Sequence, residues 1–110
     1  MISKANERMT LNLTNLCGGV GNATFHPLFE RGVLPRNVTL VTLEPGASCG
    51  EHLHDKDAEI FYVTEGELVL QDDGEEYVLH AGDAEYCGIG HSHGVINRSD
   101  SPASYLAIGL

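Results

Sequence analysis

Apolar residues fall in short runs rich in Val, Ile, Leu, Thr and Tyr, broken every few positions by glycine and other turn formers. That spacing predicts strands, and no window carries a sustained helical stripe. The clearest predicted strands cover residues 38–43, 58–64, 67–71, 76–79, 84–87, 94–97 and 104–108. Between them, Glu44-Pro45-Gly46-Ala47 has Pro and Gly in the order of a type II turn, and Asp72-Asp73-Gly74-Glu75 reads as a hairpin turn. Residues 10–16 and 22–28 read as further strands around a glycine-rich loop, so the first 37 residues are expected to form an extra edge or a dimer-exchanged arm. The expected fold class is all-β, closed or sandwiched so that its edges are protected.

Size and charge narrow the picture. A chain of 110 residues is expected to form one domain spanning 1–110, and so small a core gains from a bound metal or from dimerisation. A homodimer is therefore expected. The formal net charge of -10 repels phosphate backbones and anionic membrane surfaces, which argues against nucleic-acid and membrane partners. A phosphorylated sugar is also disfavoured, because its phosphate would need cations such as Arg31, Arg36 and Arg98 to converge. Three cysteines, Cys17, Cys49 and Cys87, have no paired spacing, and residues 1–8 carry no apolar stretch, so reduced thiols and a cytoplasmic setting are expected. Glycosylation-type triplets at Asn12, Asn22, Asn37 and Asn97 are taken as chance.

The chemistry concentrates in His52, His54, Glu59 and His93. Residues two apart on a strand share a face, so His52 and His54 present their rings side by side. The four residues between His54 and Glu59 let the chain turn and bring the carboxylate alongside, and His93 must arrive from another strand. Three imidazoles and a carboxylate suit one divalent transition metal, whether iron, manganese, nickel, zinc or copper. With six His in 110 residues, four such residues falling at four specified offsets by chance has a probability of roughly one in 70,000.

Glycines frame the ligands. One block runs from Gly46 through His52, His54 and Glu59 to Gly66, and a second runs Gly82, Gly90, His93, Asn97. The paired blocks at 46–66 and 82–97 closely resemble the two motifs of the cupin superfamily, with Gly88 standing where that family usually has proline. The resemblance implies a jelly-roll β-barrel with a metal site inside it, ligated by His52, His54, Glu59 and His93. It implies Asn97 as a turn or hydrogen-bonding group, and it leaves the reaction open.

The expected function is binding of a small oxygen-rich or carboxylate-bearing molecule at a mononuclear metal site. Oxygen-dependent cleavage by a dioxygenase stands first among catalytic readings, and non-redox isomerase, epimerase or lyase chemistry second. A non-catalytic binding or sensory module is the rival from another class. Tyr62, Tyr86 and His91 are the candidate catalytic groups, each weighed against a core, rim or solvent position. His26 and His80 read as structural. The odd offset from Cys49 to His52 puts them on opposite faces of a regular strand, so Cys49 and Cys87 read as buried, inert thiols.

Overall fold

Alternation along β3 (Asn37–Leu43) buries Thr39, Val41 and Leu43 and leaves the residues between them half-exposed, the signature of a strand with one face on a core. Its neighbour β10 (Ala103–Gly109), paired antiparallel to it, buries Ala103, Tyr105 and Ala107 and also Ser104. The computed structural model describes residues 1–29 and 36–110. Arg31 lies outside the described residues.

The other strands are β1 (Leu11–Thr14), β2 (Asn22–Pro27), β4 (Ser48–His54), β5 (Glu59–Glu65), β6 (Glu67–Asp72), β7 (Glu75–His80), β8 (Ala84–Cys87) and β9 (His91–Ile96). They form a six-stranded sheet, β1-β2-β3-β10-β5-β8, and a four-stranded sheet, β4-β9-β6-β7. This is the expected jelly-roll arrangement, with the qualification that its two sheets are not closed into one ring. Ala23, Val41, Leu43, Phe61, Val63 and Tyr105 of the first sheet meet Leu68, Leu70 and Val95 of the second in one core. Each large side chain buried there stabilises the fold by about 1.5–3 kcal/mol.

Both expected turns form. Ala47 N–H donates to Glu44 O at 2.9 Å with Gly46 at φ 82°. Asp73 and Gly74, at φ 49° and 83°, link the paired Asp72 and Glu75, as a two-residue type I′ hairpin requires. In the N-terminal segment, β1 pairs with β2 at the outside of the larger sheet. Two strands differ from the sequence reading. β4 has no apolar run to announce it, because its inward positions are taken by Cys49, His52 and His54. β9 begins at His91, three residues earlier than predicted, because the histidines that interrupt its apolar pattern still pair with β4.

Candidate metal centre

His52 and His54 sit on β4, opposite His93 and His91 of β9 respectively. Glu59 opens β5 in the facing sheet, after the chain has turned through residues 55–58. The two sheets thus bring His52, His54, Glu59 and His93 together, with one ligand-type atom from each within 4.8 Å of all the others. His54 Nε2 lies 3.0 Å from His93 Nε2, and Glu59 Oε1 lies 3.1 Å from His93 Nε2 and 3.4 Å from His54 Nε2. These separations fit a shared ion: ligands about 2.0–2.2 Å from a metal stand about 3.0–3.5 Å apart around an octahedron or tetrahedron.

The other side of each ring is tethered. His52 Nδ1–H donates to Gly50 O at 2.7 Å, which leaves Nε2 for the common point. His54 Nδ1 is 3.4 Å from Asp57 Oδ1, and Asp57 Oδ2 is 3.4 Å from Arg36 Nε. His93 Nδ1–H donates to Glu85 Oε1 at 2.7 Å, and the His93 ring stacks on Phe61 with centroids 4.2 Å apart. Partners of this kind fix ring orientation and raise the basicity of a ligating imidazole. Sequence reasoning passed over Glu85 and Asp57. Glu85 carried one usable signal, an acidic residue between Ala84 and Tyr86 in a strand, whose alternation turns it inward with Cys87.

A β-bulge sets the geometry of β4. Cys49 pairs with Val95 and His52 with His93, so Gly50 and Glu51 together oppose Gly94. A Cβ on Gly94 would lie 2.7 Å from Glu51 N and 2.8 Å from Glu51 Cα, so glycine is required there. The extra residue cancels the odd offset and turns Cys49 to the same side as His52, with Sγ 4.0 Å from Nδ1. The expectation of opposite faces for these two therefore fails, since it presumed a regular strand.

The site is electrostatically divided. Burial pulls the His93 pKa down, but its hydrogen bonds to Glu59 and Glu85 outweigh that and push it up to about 9. His52 is lowered, chiefly by burial. Burial holds the Cys49 thiol well above its ordinary value, and burial aided by Glu85 pushes Cys87 up to about 12, so both stay protonated at neutral pH. One oxygen of Glu85, Oε2, is buried with no hydrogen-bond partner.

The candidate catalytic groups lie elsewhere. Tyr62 and Tyr86, 42% and 63% exposed, alternate with the buried Phe61 and Glu85 and so face outward from the larger sheet. His91 is exposed at the rim, its Nδ1 2.6 Å from Asp73 Oδ2. None of the three lines the described cavity of about 1090 Å³. That cavity reaches the four-residue cluster through Glu59, and Lys4 and Arg8 supply its positive charge. Asn97 is fully buried, with Nδ2 donating to Leu43 O and Ser101 O and Oδ1 accepting from Ser99, so it clamps a turn. Arg98 is paired with Glu76 on β7, while Arg36 is paired with Asp57. His26 Nδ1 lies 3.3 Å from Thr10 Oγ1, and His80 Nε2 lies 3.1 Å from Glu67 Oε2.

Comparison with known proteins adds four findings. A family model described as "Cupin domain" matches residues 39–109. An oxalate-binding protein of Thermotoga maritima is 29% identical over 111 residues, covering 98% of this chain and 92% of that protein. Among solved structures, a predicted oxalate decarboxylase from Thermotoga maritima superposes with a TM-score of 0.95 at 28% identity, covering 100% and 98% of the two chains. A sugar phosphate isomerase of the cupin superfamily from Silicibacter pomeroyi superposes with a TM-score of 0.82 at 30% identity, covering 97% of this chain and 73% of that one.

Proposed function

This chain belongs to the cupin family, and on that premise we propose that it binds a small dicarboxylate of the oxalate class through one divalent transition metal held by His52, His54, Glu59 and His93. The observation that carries the proposal is the convergence of three ring nitrogens and one carboxylate oxygen, with every opposing ring nitrogen tethered. A divalent ion bound there keeps a net charge of +1 after Glu59 and offers open coordination positions to carboxylate oxygens. The similarity to an oxalate-binding protein along nearly the whole of both chains supports this ligand class.

The chain's own residues do the positioning. Glu59 stands at the cavity wall, so a ligand entering the cavity meets the cluster from that side. Phe61 and Glu85 hold His93 in plane, Gly50 O holds His52, and Asp57, itself paired with Arg36, steadies His54. Lys4 and Arg8 raise the local positive potential of an otherwise acidic protein, and Arg8 is braced by hydrogen bonds to Ser3. Binding is the first reading and dioxygenase or isomerase turnover the second, because the similar protein that matches along nearly the whole of both chains is named for binding. The proposal includes a cytoplasmic homodimer, with edge strand β1 and its exposed Leu11 available for pairing. Among the described residues no helix is long and apolar enough to cross a membrane.

The test is calorimetric titration of oxalate into manganese-loaded protein and into protein stripped with a chelator. Saturable binding is expected only with the ion present. Equal binding in both, or none in either, would overturn the proposal.

A further inference from the structure

The loop between β1 and β2 lies against β4, directly behind His52. Ser48 N–H donates to Val20 O at 2.7 Å, and Val20 N–H donates to Ser48 Oγ at 2.9 Å. The two chains approach so closely that a Cβ on Gly50 would overlap the Cys17 carbonyl oxygen, and one on Gly19 would overlap Ser48 O. Within this clamp Cys17 is held at φ 50°, ψ 37°, a left-handed conformation that residues other than glycine rarely adopt and that the surroundings must enforce. Its thiol is exposed, whereas that of Cys49 is buried. The two sulfurs and a ring nitrogen of His52 all lie within 4.8 Å of one another.

We propose that Cys17 and Cys49 form a reversible disulfide that, through His52, weakens the metal site. The coupling half rests on the metal reading given above, whereas the bond itself does not. A disulfide needs its sulfurs about 2.05 Å apart, so both side chains must close from a separation of up to 4.8 Å. The oxidant is hydrogen peroxide. Cys17 sulfur attacks one peroxide oxygen, the O–O bond breaks, and water leaves with the thiol proton to give a sulfenic acid. Cys49 sulfur then attacks that sulfur, the S–O bond breaks, and a second water leaves with the Cys49 proton. Two thiols are oxidised to one disulfide and one peroxide is reduced to two waters. A dithiol reverses the step by exchange.

The link to His52 is geometric. Cys49 Sγ is 4.0 Å from His52 Nδ1, and the two residues flank the Gly50–Glu51 bulge whose Gly50 carbonyl orients that ring. Drawing Cys49 towards Cys17 displaces the bulge and with it the imidazole.

The experiment treats the intact protein with hydrogen peroxide, counts thiols under denaturing conditions and measures zinc affinity by competition with a chromophoric chelator. Thiols are expected to fall from three to one, with a Cys17–Cys49 cross-linked peptide on digestion, and to return with dithiothreitol. Zinc affinity is expected to fall about tenfold, the scale of damage to a ligand's outer partners. Cys17→Ser, at an exposed position, should keep both remaining thiols and an unchanged zinc affinity after the same treatment. Retention of three thiols, or a cross-link only between molecules, would overturn the disulfide. An internal disulfide with unaltered zinc affinity would overturn the coupling. Failure of zinc to bind either form would sink the metal reading and the coupling together, while the thiol count would still score the bond on its own.

Discussion

Glu85 Oε1 accepts a 2.7 Å hydrogen bond from His93 Nδ1 on the side of the ring opposite His54 and Glu59. A fully buried imidazole is thereby aimed by one carboxylate and shares its other nitrogen with the cluster. Glu85→Gln keeps an acceptor oxygen but removes the charge that raises ligand basicity. Metal affinity should fall about tenfold in chelator competition, with the fold retained by circular dichroism. Unchanged affinity would mean that Glu85 is merely buried beside the ring.

Metal uptake should release protons. With its pKa pushed up to about 9, His93 carries a proton at pH 7 in the ion-free protein, and an ion at Nε2 must displace it. Apparent affinity should therefore rise with pH by up to about tenfold per unit until about pH 9 and then level off. Zinc titrations in buffers of different ionisation enthalpy measure the proton count directly, and a count near zero at pH 7 would contradict the assignment.

The bulge that turns Cys49 towards His52 depends on Gly94. Gly94→Ala forces a methyl group against Glu51 N and Cα and should destabilise the protein by about 1–3 kcal/mol in urea unfolding. Stability equal to the parent would show that the bulge relaxes freely.

Most of the fold was legible in the sequence because its strands are short runs rich in Val, Ile, Leu, Thr and Tyr, and because Pro45-Gly46 and Asp73-Gly74 mark their turns. The four clustered residues were legible for a different reason: the glycine frame ties them to two linked blocks. β4 escaped because its inward positions are polar, and the bulge escaped because a two-against-one pairing leaves no mark in the spacing of Cys49 and His52. Tyr62 and Tyr86 looked available only because sequence proximity to Glu59 and His93 says nothing of the sheet face. Alternation with Phe61 and Glu85 turns both outward.

That outward placement has a direct consequence. Tyr62→Phe and Tyr86→Phe should leave oxalate binding by the metal-loaded protein within about twofold of the parent, the usual range for exposed substitutions. A loss of tenfold or more in calorimetry would return either hydroxyl to the site.

The central claim is that four side chains from two facing sheets hold one ion. Elemental analysis of protein purified without a histidine tag tests it most directly. The parent should carry about one divalent transition-metal ion per chain, and the His52→Ala, His54→Ala double variant, folded by circular dichroism, should carry essentially none. Full occupancy in the double variant, or no ion in the parent even after loading with zinc or manganese, would contradict the account.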